Sequence, residues 1–239
     1  MTRKLDCPSI TVVVLAFNEE LNLPKMLDES IEYLERRIPQ WEIVIVDDGS
    51  KDGTRQVAEG YAERYPDNVK VVVHEVNKGM GAGMKSGIRA ATSDYFTIIA
   101  GDGQHPTPEL EGMIGGLAEA DIVTTYHINQ RELSRRVLSW GFRKAMWAAC
   151  GIDFELEGIY LFPRKVAVDE IGLENVPPDT FFFSFELIAR AIRAGHTVTV
   201  RPMIVRRREH GQSKVASYNR IKRISNEIMG FRKRLRAER

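Results

Sequence analysis

The run Ile10-Thr11-Val12-Val13-Val14-Leu15-Ala16 has no polar face. Such a continuous apolar, mostly β-branched run reads as a strand buried on both sides, as in a parallel sheet covered by helices. Three further strand signals follow, at Glu42–Val46, Val69–His74 and Tyr95–Ala100. Helical patterns separate them, roughly Pro24–Ile38, Thr54–Tyr65 and Met80–Ala91, with Pro24 suited to a first helical turn. Another helix is expected from about Thr107 and a fifth strand at Asp121–Thr125. Units of this length predict parallel strands joined by right-handed crossovers. The expected fold is therefore α/β, with a Rossmann-like, mostly parallel sheet and helices on both faces. The second half is less regular: helices near Glu132–Ala149 and Phe183–Ala194, extended pieces at Ile159–Phe162 and Thr197–Val205, and a last helix at Ser217–Arg236.

Composition narrows the classes. A chain of 239 residues, 43% hydrophobic and 28% charged, can bury the core of one domain. No apolar run approaches the ~18–20 residues needed to cross a bilayer. No small-residue cleavage site follows Ile10–Phe17, so a secretory signal is not expected. Cys7 and Cys150 form no CxxC pair, which suits a reducing, cytoplasmic setting. The net charge of +1 hides an asymmetry: from Arg201 onward there are 13 Lys+Arg against 3 Asp+Glu. The expected partner of that basic end is anionic: a membrane surface, a nucleic acid, or phosphates at an active site.

In open parallel sheets, ligands bind outside the carboxyl ends of the strands. Four polar clusters fall there: Asn18-Glu19, Asp47-Asp48, Asn77-Lys78-Gly79, and Asp102 with Gln104. The Gly79–Ser86 stretch fails the P-loop pattern, because Met84 stands where glycine must precede the lysine. It fails the dinucleotide GxGxxG pattern at the same position. Its glycines serve either close helix–sheet packing or backbone approach to a nucleotide. Asp47-Asp48 reads either as a turn or as paired carboxylates for a base N–H and ribose hydroxyls. Asp102 and Gln104, two apart on an extended loop, can place two oxygen ligands on one side. Hard cations such as Mg²⁺ are held by few protein groups plus substrate phosphates. Arg131, Arg135 and Ser139 are spaced to share one helix face. Arg208 and Lys214 bracket a Gly-Gln-Ser loop. Gathered around one cleft, these cations would form a phosphate site.

Val12–Glu20 followed by Val46–Thr54 resembles the opening of the family 2 inverting glycosyltransferases of GT-A fold. Gly101-Asp102-Gly103-Gln104-His105-Pro106 together with Arg208-x-x-Gly211-x-Ser213-Lys214 resembles the dolichol-phosphate mannose synthase branch. The resemblance covers about residues 9 to 215. It implies that Ala16, Phe17, Glu19, Asp47 and Asp48 hold the donor nucleoside, with Gly79 on the nucleotide-binding rim. It places Mg²⁺ or Mn²⁺ on Asp102 and Gln104. Arg135 and Ser139 match positions that cradle an acceptor phosphate, and Arg208 and Lys214 match those contacting donor and acceptor phosphates. Three positions depart from the pattern. Ala100 replaces the first metal-loop Asp, His127 stands where an Arg follows the fifth strand, and Glu157-Gly158-Ile159-Tyr160 replaces Ser-Gly-Phe-Arg.

The expected activity is transfer of a hexose from a nucleotide sugar to a polyprenyl phosphate with inversion. The default donor is GDP-mannose, with a UDP-hexose as the other choice, and on this resemblance nucleic acid is not expected as a partner. The expected organisation is a catalytic domain over 1–215 and a basic amphipathic helix over 216–239. In that helix, Ile221, Ile224, Ile228, Phe231 and Leu235 form one stripe for peripheral membrane contact. Two alternatives stand beside this. One is a glycosyltransferase acting on a hydroxyl, which needs a base such as Glu186 or Asp179. The other is a non-catalytic nucleotide-sugar-binding subunit.

Overall fold

Alternate residues of β1 (Ile10–Ala16) face two separate cores. Ile10, Val12, Val14 and Ala16 pack with Leu23, Leu27, Ile31 and Leu34 of α1 (Leu23–Arg37). Val13 and Leu15 face the opposite layer, with Ile88, Phe96, Phe183 and Leu187. This explains the missing polar face, because both faces of the strand are inside. The same alternation divides β2 (Trp41–Asp47): Ile43 and Ile45 join the first core, Val44 and Val46 the second. The computed structural model describes residues 7–129, 140–141, 143–144, 147–148, 150–177, 182–207 and 227–235.

The remaining elements are α2 (Thr54–Arg64), β3 (Val69–Val73), α3 (Met80–Ala90), β4 (Tyr95–Ala100), α4 (Leu110–Gly116), β5 (Ile122–His127), β6 (Tyr160–Pro163), α5 (Phe183–Arg193) and β7 (Val198–Met203). The strands form one sheet in the order β3-β2-β1-β4-β6-β5-β7. The first four are parallel, as the strand–helix alternation requires. β6 enters antiparallel between β4 and β5, and β7 runs parallel to β5. The short piece ending at Pro163 is thus a central strand rather than an accessory. Pro163 sits at its last residue, opposite Tyr95, where a missing N–H is tolerated. Among the described residues, no helix is long and apolar enough to cross a membrane.

The helix expected at Ser217–Arg236 is described over 227–235, where it is helical. Ile228, Phe231 and Leu235 are buried against Ile152, Phe182 and Ala189. The expected membrane-facing stripe is therefore corrected for these three residues. Their apolar face is already covered by the protein, and burying it there removes more surface from water than leaving it exposed. Ile221 and Ile224 lie outside the described residues.

Candidate active site

The carboxyl ends of β2, β1 and β4 bring three loops together. Asp48 donates its backbone N–H to the carbonyl of Ala16 (2.9 Å), and Gly101 donates to the carbonyl of Leu15 (2.8 Å). Parallel pairing thus continues past the strands and fixes the relative height of Ala16, Asp48 and Gly101. Asn18, at φ +55°, adopts the left-handed conformation that Asn tolerates. Its Oδ1 accepts from the N–H of Lys51 (2.8 Å), and its own N–H donates to Ser50 Oγ (3.0 Å). Glu19 donates its N–H to Thr54 Oγ1 (2.8 Å) and accepts from Asn22 Nδ2 (2.6 Å). Phe17 is half-buried in the same loop.

Asp47 and Asp48 have different surroundings. Asp47 is 2% exposed, and its Oδ1 accepts from the N–H of Ser50 (3.1 Å). Asp48 takes three donors. Oδ1 accepts from His74 Nδ1 (2.8 Å) and the N–H of Lys78 (2.9 Å); Oδ2 accepts from the N–H of Gly79 (2.9 Å). His74 also bonds Ser86 Oγ through Nε2 (2.9 Å) and donates its backbone N–H to Asp47 O (2.9 Å). Gly49 is required here, since a Cβ would stand 2.6 Å from the backbone of Val76 and Asn77.

The glycines of α3 divide between the two readings open at sequence level. A Cβ on Gly87 would lie 2.2 Å from Val13 Cγ1, and one on Gly83 3.2 Å from Leu15 Cδ2. These two serve close helix–sheet packing. Gly79, at φ +88°, precedes α3 and binds Asp48 through its N–H, which places it on the rim.

Asp102 Oδ1 accepts the N–H of Gln104 (3.0 Å), so the two residues share one turn. The main chain of Gln104 is held by Arg206, whose N–H donates to its carbonyl (2.8 Å). Gln104 Nε2 faces the carbonyl of Arg206 at 3.5 Å. Among the described residues, no cluster of three or more His, Cys, Asp or Glu forms a cage for a metal. The oxygen donors of Asp102 and Gln104 fit a hard cation whose remaining positions come from water and a diphosphate. Next to them, the rings of His105 and His127 lie 5.7 Å apart. Burial, with His127 beside it, lowers His105 to about 4, so the imidazole is neutral at neutral pH.

Two of the family departures meet in space. The carboxylate of Glu157 accepts the N–H of His127 (3.1 Å). A Cβ on Gly158 would stand 2.3 Å from Met203 Sδ and 2.8 Å from His127 Nε2, so a side chain there would force these neighbours to shift. Arg135, Ser139, Arg208 and Lys214, the expected phosphate-binding residues, lie outside the described residues, as do Arg131 and Asp179. Glu186 is fully buried on the first turn of α5, bound by Arg190 (2.9 Å) and by Arg234. Arg190 bonds Oε1 alone, whereas Arg234 reaches both carboxylate oxygens. In this structure Glu186 is thus engaged in ion pairs inside the fold rather than open to a substrate.

The sequence reading named Asp48 and Gly79 but took His74 as the end of a strand, and Ser86 only as part of a glycine stretch. The available signal is the position of His74 at the carboxyl end of β3, on the same rim as the acidic motifs.

The family model for glycosyl transferase family 2 matches residues 11–190. The chain is 32% identical over 180 residues to the human dolichyl-phosphate beta-glucosyltransferase, covering 66% of this chain and 56% of that protein. It is 27% identical over 223 residues to polyprenol monophosphomannose synthase of Mycolicibacterium smegmatis, covering 87% and 81%. The chain thus spans little more than half the length of its dolichyl-phosphate glucosyltransferase relatives. Among solved structures, glucosyl-3-phosphoglycerate synthase of Mycobacterium tuberculosis, with Mn²⁺, UDP and glucosyl-3-phosphoglycerate, superposes with a TM-score of 0.63. The identity is 19%, over 94% of this chain and 78% of that one. A mannosyltransferase of Pyrobaculum calidifontis with GDP-Man and Mn²⁺ gives 0.62 at 20% identity, over 83% and 56%.

Proposed function

The chain belongs to glycosyl transferase family 2, and from that premise we propose that it transfers a hexose from a nucleotide sugar to a polyprenyl phosphate. The observation that carries this reading is the convergence of Glu19, Asp47, Asp48 and Asp102 on one rim, at the ends of three adjacent parallel strands. Ligands of open α/β sheets bind outside the carboxyl strand ends, and in this reading the nucleoside would lie at β1 and β2 and its diphosphate at β4. Relatives that act on dolichyl and polyprenol phosphates support the acceptor class.

The donor we propose is a UDP-hexose, by preference UDP-glucose, in place of the default GDP-mannose. The relatives of higher identity are dolichyl-phosphate glucosyltransferases. Asp48 supports the same choice, because three protein donors leave it one acceptor site for a base.

The chemistry follows from charge. A phosphate acceptor is already an anion, so its oxygen attacks the anomeric carbon without proton removal. The locked state of Glu186 agrees with a site that needs no base there. Asp102 and Gln104 would hold Mg²⁺ or Mn²⁺, which when bound neutralises the departing nucleoside diphosphate. With Ala100 in place of a second carboxylate, the donor diphosphate would have to supply the remaining oxygen ligands. Arg135 and Ser139 would hold the acceptor phosphate. Arg208 and Lys214 would screen the repulsion between two anionic substrates.

A lipid acceptor implies a membrane surface. The described residues between 140 and 150 are helical, and Trp140, Lys144 and Trp147 are exposed at spacings of four and three. Indole rings and cations on one face suit the headgroup layer, which makes this helix the proposed peripheral contact.

The test is direct. Purified protein is given radiolabelled UDP-glucose or GDP-mannose with polyprenyl phosphate, with and without EDTA. Glycolipid formed from UDP-glucose and abolished by EDTA is expected. Product from GDP-mannose alone would reverse the donor assignment, and transfer only to hydroxyl acceptors would overturn the acceptor class.

A further inference from the structure

We infer that His74 is a positioning residue that sets nucleobase choice by occupying one acceptor site of Asp48. The inference rests on the proposed role of Asp48 as a ligand of the donor base. An ionised carboxylate offers about four acceptor sites, two on each oxygen. His74 Nδ1 and the Lys78 N–H take both sites on Oδ1, and the Gly79 N–H takes one on Oδ2. One site on Oδ2 remains for a ligand.

The number of free sites matters because bases differ in the donors they present. Uracil offers a single N3–H between two carbonyls. Guanine offers N1–H and the exocyclic N2–H side by side, a fork that matches both oxygens of an open carboxylate. A carboxylate with one open site matches uracil and leaves one guanine donor without a partner, which is costly in a desolvated pocket. Lys78 and Gly79 reach Asp48 through backbone N–H groups, which no side-chain substitution removes. His74 is the one contributor whose donor is a side chain.

His74 is fixed in place through both its ring and its main chain. Its Nε2 bonds Ser86 Oγ on the second turn of α3, its backbone N–H bonds the carbonyl of Asp47, and the residue is 5% exposed. It therefore cannot swing aside to open Oδ1 to a guanine. Asp48, His74 and Ser86 form a closed link between the end of β2, the end of β3 and α3. Two of the three residues have no other assigned task.

The experiment uses isothermal titration of the full chain with UDP and with GDP in the presence of Mg²⁺. His74→Asn places an amide nitrogen near Nδ1 and keeps the donor to Asp48. His74→Gln places it near Nε2, keeping Ser86 and freeing one of the two acceptor sites on Oδ1. Wild type and His74→Asn are expected to bind UDP at least about tenfold more tightly than GDP. In His74→Gln that ratio is expected to fall about tenfold, through tighter GDP binding as well as weaker UDP binding. Ser86→Ala, which only unpins the ring, is expected to lower the ratio by about two- to threefold, and it stands in should a His74 variant fail to fold. A merely structural role would weaken both ligands together and leave the ratio unchanged, and that result overturns the inference. A wild type that prefers GDP overturns the uridine donor itself, a separate outcome read before any variant is made.

Discussion

The guanidinium of Arg234, in the segment 227–235, closes on the carboxylate of Glu186 in the first turn of α5. Glu186 is fully buried, and its other partner is Arg190, one turn further along the same helix. Beside this ion pair, Phe231 packs its ring against Phe182 with centroids 5.5 Å apart. A segment that reads in the sequence as a basic, membrane-seeking helix is thus tied to the domain by a buried charge and an apolar cluster.

Arg234→Ala is expected to cost about 3 kcal/mol, since it strips one partner from a buried carboxylate. Urea denaturation checks the value. Deleting residues 227–239 should lower the melting temperature and reduce transfer to short and long prenyl phosphates alike. A loss confined to long-chain acceptors would place the segment at the membrane instead.

Asp102→Ala should lower transfer by at least about a hundredfold while leaving the melting temperature close to wild type. Because Asp102 is the one carboxylate of its loop, Mn²⁺ should bind weakly to the protein alone and more tightly once UDP is added. Titration calorimetry with Mn²⁺, with and without UDP, measures the difference. Equal Mn²⁺ affinity in both states would contradict a site completed by the diphosphate.

The double variant Trp140→Ser, Trp147→Ser should abolish co-sedimentation with anionic liposomes. Activity on a short water-soluble prenyl phosphate should be retained. Lys144→Glu alone should weaken binding by about 1–2 kcal/mol and more strongly at low salt. Unchanged liposome binding in the double variant would move the contact elsewhere.

Glu42 predicts an acid limit. Burial raises its carboxyl, but hydrogen bonds from Lys70, Thr11 and the Thr92 N–H outweigh this and hold it below the ordinary value. A folded-state value below the unfolded one stabilises the fold above that ordinary range and is lost as pH falls through the folded value. Glu42→Gln should therefore cost about 1–3 kcal/mol at pH 7. The gap to wild type should narrow as pH falls below the ordinary carboxylate range. Melting temperatures measured from pH 7 to pH 3 would show whether the curves converge.

The sheet was legible in the sequence because its signal is local. Val12, Val13 and Val14 have no polar neighbour to turn outward, and the helical patterns between such runs leave few topologies. The acidic rim was legible for the same reason, since Asp47, Asp48 and Asp102 each end a strand that declares itself. The place of β6 was not. Tyr160–Pro163 is four residues long, and nothing in so short a piece states that it pairs antiparallel between β4 and β5.

The sequence by itself determined the α/β class, the four parallel strands and the loops that carry the polar residues. Period and composition act over a few neighbouring residues, and both cores are written in that alternation. Only the tertiary structure decided what those residues touch. It gave Asp48 three donors from a loop about thirty positions away and engaged Glu186 in ion pairs with Arg190 and Arg234. It also turned Ile228, Phe231 and Leu235 inward. The reason is physical: an amphipathic stripe or a lone carboxylate specifies only that it must be covered or paired. Which surface covers it is set by long-range packing, and that depends on the whole chain at once.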